Sequence, residues 1–207
     1  MNFLHTKLSS QKLVHRVIYT TFLFLVLFVS ITIISYFFLP QGLLKSKNPL
    51  HNWENSSNTL LLIFQIFFYN MLSVVVIAIG SLFGQKKELE ANYLSVGYLA
   101  FFVIIIQNAV VLGTWSFSVD RAAPSLFHRL IGSFDLLHRA GLWEMFGQLL
   151  ITCSLAHIAT ICSNGKKTVT RKLREINLSK NEKLVLFIGF ALMLTGAIIE
   201  AISIHSL

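Results

Sequence analysis

The sequence predicts an all-α integral membrane protein: one domain, a bundle of five transmembrane helices with short amphipathic interfacial helices. Three observations carry that reading. Five long apolar stretches, Val17–Leu39, Thr59–Phe83, Leu94–Leu112, Leu142–Cys162 and Leu184–Leu207, are bracketed by charged or turn-forming residues. The chain is 55% hydrophobic and 13% charged, whereas a soluble domain carries about 25% charged residues. The Lys and Arg residues sort by loop in the way membrane topology demands. Crossing a bilayer core takes about 20 apolar residues as a helix, and backbone in lipid must satisfy its own hydrogen bonds, so the stretches read as helices and not strands.

The elements follow in order. Residues 1–16 place Phe3, Leu4, Leu8, Leu13 and Val14 at loosely helical spacing, which suits an interfacial helix or a frayed tail. The flank of Lys7, Lys12 and Arg16 would fit a signal peptide, but the apolar core runs on to Phe38 and Leu39. Signal cores run about 7–15 residues and end in small residues, so the first span reads as an uncleaved anchor. Residues 40–58 form a loop: Pro40, Gly42 and Pro49 break helix, and Asn55, Ser56, Ser57 and Asn58 offer caps. The second span ends in Gly80 and Gly84 at GxxxG spacing, which permits close helix packing; Gly84 reads equally as an exit turn. After Pro124, the apolar residues from Leu126 to Leu137 alternate with Arg129, Asp135 and His138. That pattern predicts a short amphipathic helix over about 125–138. Residues 163–183 are basic, with Val169, Leu173 and Ile176 in helical register. They predict a surface helix offering Lys166, Lys167, Arg171, Lys172 and Arg174 to anionic lipid or to a partner. Ser179 and Glu182 are spaced as a capping box before the last span.

The net charge of +8 follows from this topology and not from nucleic-acid binding. With the N-terminus cytoplasmic, the inner face collects twelve Lys and Arg, seven of them between Lys166 and Lys183. The outer face holds five: Lys45, Lys47, Arg121, Arg129 and Arg139. Cations are retained on the cytoplasmic side, so the C-terminus is expected outside. Trp53, Trp115 and Trp143 fall beside span ends on the outer side, where indoles favour the headgroup layer. Cys153 and Cys162 lie roughly 13 Å apart on one predicted helix, too far to form a disulfide, and read as apolar fillers.

Ionisable groups inside a span cost roughly 2.5–3.5 kcal/mol, which makes them functional candidates. Glu144 and Glu200 qualify, both in the outer halves of their spans. Gln148 is one turn from Glu144; Asn70 is near the middle of the second span, Gln107 and Asn108 are in the third, and His138 and His205 approach from outside. These groups either converge on an outward polar cavity or bond helix to helix at about 0.6 kcal/mol per contact. His157 reads as a packing residue. No metal, cofactor or enzymatic activity is expected: HExxH, GxSxG and phosphate-cradling glycine loops are absent. Cys153 and His157 stand one turn apart on one apolar helix without a third group or water access.

Four short motifs resemble the stage II sporulation protein M family of multispan membrane proteins. Phe38-Leu39-Pro40-Gln41-Gly42 is similar to that family's Leu-Pro-acid-Gly exit from the first span. Tyr69-Asn70, with Ile79-Gly80 and Phe83-Gly84, resembles its Asn-containing second span with spaced glycines. His138 with Gly141-Leu142-Trp143-Glu144 resembles its Pro-His-Gly-x-x-Glu signature, although Leu137 replaces the proline and Arg139-Ala140 intervene. Gly196 to Ala201 resembles the small-apolar-Glu-Ala block of its last span. The resemblance implies a bacterial cytoplasmic-membrane location and a non-enzymatic role as platform or accessory subunit of a membrane complex. The alternative it implies is a bacteriocin-associated role, in export or immunity, handling a hydrophobic peptide; an outer cavity around Glu144 and Glu200 would suit a cationic one. A proton-coupled carrier built on the two glutamates is a third expectation. The expected partners are the lipid bilayer, membrane proteins or further copies of this chain, and a peptide ligand.

Overall fold

The computed structural model describes residues 2–45, 56, 58–86, 92–117, 123–135 and 140–205. Pro49, Trp53, Asn55, Ser57, His138 and the cations Lys47, Lys87, Arg121 and Arg139 lie outside the described residues. A short helix α1 (Asn2–Leu8) leads through a break at Ser9–Lys12 into α2 (Leu13–Phe38). Then come α3 (Thr59–Ser81), strands β1 (Phe83–Lys86) and β2 (Tyr93–Ser95), and α4 (Gly97–Thr114). Helix α5 (Leu126–Ser133), α6 (Gly141–Ser154), strands β3 (Ile161–Ser163) and β4 (Thr168–Thr170), and α7 (Lys180–His205) complete the described chain.

Four helices are long and apolar enough to cross a membrane: Leu13–Phe38, Thr59–Ser81, Gly97–Thr114 and Lys180–Ile204. They expose large apolar side chains along their length, among them Phe22, Phe68, Leu99 and Phe187, as a lipid-facing surface must. Their starts obey local chemistry. Asn58 caps α3, its Oδ1 accepting from the backbone N–H of Leu60 at 2.9 Å. Ser179 and Glu182 form the reciprocal box at the head of α7: Ser179 N–H donates to Glu182 Oε2 at 2.9 Å, and Glu182 N–H to Ser179 Oγ at 3.3 Å.

The fourth expected span is different. Helix α6 has 14 residues, so it is about 21 Å long, short of a hydrocarbon core of about 30 Å. The residues after Ser154 leave the helix because their backbone is claimed elsewhere. Thr160 and Ile161 N–H both donate to Leu82 O, at 2.8 and 3.0 Å, and Arg171 donates to the carbonyls of His157 and Ala159. A buried helix wrapped by others is what α6 is instead: Leu149, Ile151 and Cys153 are fully buried.

The strands were not expected. They form one sheet in the order β2-β1-β3-β4. β1 pairs antiparallel with β2 (Gly84 opposite Ser95) and parallel with β3 (Phe83 opposite Ile161). β3 and β4 form a hairpin in which Cys162 faces Val169. The basic segment is therefore a hairpin followed by a 3-10 turn at Leu173–Glu175, not a surface helix. Its turn residues explain this: Asn164 Oδ1 accepts from the N–H groups of Lys166 and Lys167, and Gly165 has φ +86°, a left-handed conformation that glycine takes without strain. Parallel pairing of β1 and β3 means that α3 and α6 both run toward the sheet, while α4 and α7 run away from it. Among the described residues, every Lys and Arg except Lys45 and Arg129 belongs to the sheet end.

Helix α6 shares its largest interface with α7, and glycine makes it close. A Cβ on Gly147 would lie 2.6 Å from Gly189 O and 2.5 Å from Met193 Cγ. One on Gly196 would lie 2.8 Å from Glu144 Cγ. At α3–α4 the corresponding contact is Gly80 against Gly97, at 3.3 Å. Gly84 sits in β1 and packs on the Tyr93 ring.

Candidate functional site: a polar cavity inside the bundle

Helix α6 begins deep in the bundle. Glu144, in its first turn, accepts a hydrogen bond from Asn70 Nδ2, and Asn70 lies halfway along α3. Trp143 is thus at mid-bundle depth and not at a bundle end. Above this point, on the side away from the sheet, is a cavity of about 290 Å³. Its polar lining comes from Asn70 and Ser73 of α3, Asn108 of α4, Ser133 of α5, and Glu144 and Gln148 of α6. Phe28, Leu112, Phe117 and Met145 supply apolar wall. The volume is near the lower end of ligand sites, about 300–1,000 Å³, and suits one side chain or headgroup.

The donors and acceptors are unequal. Among the described residues, Glu144 has one donor, Asn70. Gln148, 4% exposed, has an Oε1 with no hydrogen-bond partner among the described residues. A buried acceptor without a donor costs about 1–3 kcal/mol. Glu144 stands in the first turn of α6, and a second carboxyl group, Glu200, lies close enough on α7 to interact with it. Glu200 follows Gly196, which abuts Glu144; it backs the site and does not line the cavity. One wall of the cavity therefore carries carboxyl and amide oxygens short of donors.

The helix α5 closes this end of the bundle. Arg129, buried, donates to Pro124 O at 2.8 Å and to Gly113 O. Its guanidinium sits 4.8 Å from the Tyr36 ring centroid and 5.3 Å from that of Trp115. A cation on the carbonyls that end α4 satisfies orphan acceptors and complements the helix dipole.

A second ionic group lies at the sheet end, where the buried Arg16 Nε has no partner among the described residues. Arg16, fully buried in the first turn of α2, donates to Glu182 Oε1 at 2.5 Å, to His157 Nδ1 at 2.5 Å and to Ser10 O at 3.1 Å. His157 Nε2 stands 3.3 Å from Ser9 O. Nδ1 must accept from Arg16, so Nε2 carries the hydrogen and the imidazole is neutral. Burial first, then the Arg16 charge, hold the His157 pKa below its usual value. Sequence reading found the Ser179–Glu182 box but not this cluster. The available signal was Arg16 itself, a cation directly against an apolar run.

The basic residues of the hairpin divide in two. Lys166, Lys167, Lys172 and Arg174 are exposed. Arg171 instead clamps the structure, donating to Ala159 O and, at 2.9 Å, to Tyr93 Oη. Cys153 is buried and its Sγ lies 3.4 Å from Thr20 Oγ1, while His157 is taken by Arg16. Among the described residues no group of three or more His, Cys, Asp and Glu could hold a metal. No family model, curated protein or solved structure matches the chain.

Proposed function

We propose that this chain is a non-enzymatic accessory subunit of a membrane complex, and that its cavity takes a cationic side chain of a hydrophobic partner peptide or protein. The observation that carries the reading is the pairing of Glu144 with the undonated Gln148 Oε1 on one cavity wall. The resemblance to the stage II sporulation protein M family supports it. Three of its four motifs, those holding Asn70, Glu144 and Gly196–Ala201, come together at this one place. Bacteriocin handling and a platform role differ in what the partner is, not in what the cavity recognises.

The placement proposed is five crossings of a bacterial cytoplasmic membrane, the sheet inside and the cavity outside. Segments that alternate toward and away from the sheet support it, as does the gathering of cations at the sheet end. Single cysteines in a Cys-free background test it. Maleimide applied to intact cells should label Lys45→Cys and spare Lys167→Cys; the reverse pattern would sink the topology.

The ligand chemistry is tested with two short apolar peptides that differ only in carrying lysine or norleucine at one tip. The lysine peptide should raise the melting temperature of the detergent-purified protein and lose that effect on Glu144→Gln. An equal shift from the norleucine peptide, or an undiminished shift on the variant, would overturn the assignment.

A further inference from the structure

Helices α2 and α7 start side by side at the sheet end, tied by Arg16 and Glu182. Beside that tie is a groove of about 550 Å³, lined by Lys12, Val14 and His15 on one side and Asn181, Leu184 and Val185 on the other. The lining is graded. Its polar residues stand at the helix starts, where a bilayer boundary would fall, and its apolar residues continue along the spans. Val14 is 65% exposed and Leu184 59%, so the groove floor is open to whatever surrounds the bundle.

The charge around it is uncompensated. No hydrogen bond or ion pair engages the side chains of Lys12, His15, Lys180 or Lys183 among the described residues. Among the described residues, Glu182 is the one acid lining the groove, and its carboxylate is consumed by Arg16 and by Ser179. A groove with unpaired cations at the mouth and aliphatic walls below fits an amphiphile with an anionic head. A free phosphate would leave Val14, Leu184 and Val185 uncovered, and a zwitterionic lipid would leave the cations unmatched.

We propose that this groove is a binding site for an anionic phospholipid, its phosphate held by Lys12 and His15, and one acyl chain laid over Val14, Leu184 and Val185. The proposal rests on the bilayer placement given above and is independent of the Glu144 cavity. A basic residue near an anionic headgroup strengthens binding roughly fivefold.

The test is native mass spectrometry of the full chain released from micelles doped equally with phosphatidylglycerol and phosphatidylcholine. Wild type should retain phosphatidylglycerol preferentially. The variant Lys12→Gln should lose roughly fivefold of that preference. Lys167→Gln, which removes equal charge from the distant hairpin turn, should leave it unchanged. Val14→Trp fills the apolar floor at an exposed position, leaves every cation in place, and should lower retention of both lipids. Retention by the Lys12→Gln variant at the wild-type level would overturn the site. So would equal loss in the hairpin variant, which would indicate diffuse surface attraction, or undiminished retention in Val14→Trp.

Discussion

The two ends of the bundle bury similar chemistry to opposite effect. At the sheet end, Arg16 donates to Glu182, His157 and the Ser10 carbonyl and is sealed from solvent, with its Nε left without a partner among the described residues. At the other end, Glu144 and Gln148 present side-chain oxygens to open volume, with Asn70 the only donor to them among the described residues. A closed network ties three chain segments, the starts of α2 and α7 and the link after α6. The other borders a cavity and, among the described residues, ties only α3 to α6. Buried polar groups in a membrane bundle are thus not alike: one set holds opposite charges together, and the other stands against open volume.

The sharpest way to break that comparison is to remove one partner of the closed network. Glu182→Leu leaves the buried Arg16 charge unpaired, and breaking such a pair costs about 3–5 kcal/mol. A large fall in the melting temperature of the purified protein is expected. Adding Arg16→Met should restore most of it, because two apolar groups replace two charges. If Glu182→Leu melted like wild type, the cluster would not be a clamp. Next in size is Gly189→Val, which forces a side chain into Gly147 O, 2.8 Å from where its Cβ would stand. Overpacking of this kind costs about 1–3 kcal/mol. It should lower stability without altering which lipids or peptides bind, whereas a gain in stability would show that the α6–α7 contact has slack.

Four of the apolar stretches, the cap at Asn58 and the Ser179–Glu182 box were legible because each depends on residues close in sequence. Depth was partly legible: Asn70, Glu144 and Gln148 were singled out, but which faces meet is fixed by the Gly147–Gly189 and Gly196–Glu144 approaches between distant segments. The truncation of α6 was not legible. Composition carries Leu142–Cys162 as one apolar run, and only the β1–β3 pairing and the reach of Arg171 remove its second half from the helix. The hairpin was misread because Val169, Leu173 and Ile176 mimic a helical period. The stronger local signal was Asn164-Gly165 before the β-branched Thr168, Val169 and Thr170, a turn followed by a strand. Arg16 was read as a topological charge, and its partners are 141 and 166 residues away.

At the open site the expected effects on stability are smaller and of a different sign. Gln148→Leu deletes an acceptor that has no donor, so stability should stay within about 1 kcal/mol of wild type or rise. Affinity for the lysine-tipped peptide should fall in the same variant. Together these outcomes would sharpen the contrast with Glu182→Leu. Marked destabilisation by Gln148→Leu would mean that the side chain is structurally committed and that the cavity is a packing fault.

The smallest effect is expected from His157, which joins the comparison to pH. Its imidazole is neutral in the folded state because burial and the Arg16 charge both oppose a proton. The unfolded chain takes that proton near the ordinary value of 6.5. Unfolding therefore binds a proton in the window below 6.5, and the folded state loses stability as pH falls through it. Above that window the contribution is complete and flat. Thermal melts of wild type and His157→Gln between pH 7.5 and pH 5, choices of range that bracket the ordinary histidine titration, read this directly. Wild type should lose melting temperature on acidification more steeply than the variant, whose amide can still accept from Arg16 and does not titrate. Parallel curves would remove His157 from the clamp and leave Arg16 and Glu182 as a simple pair.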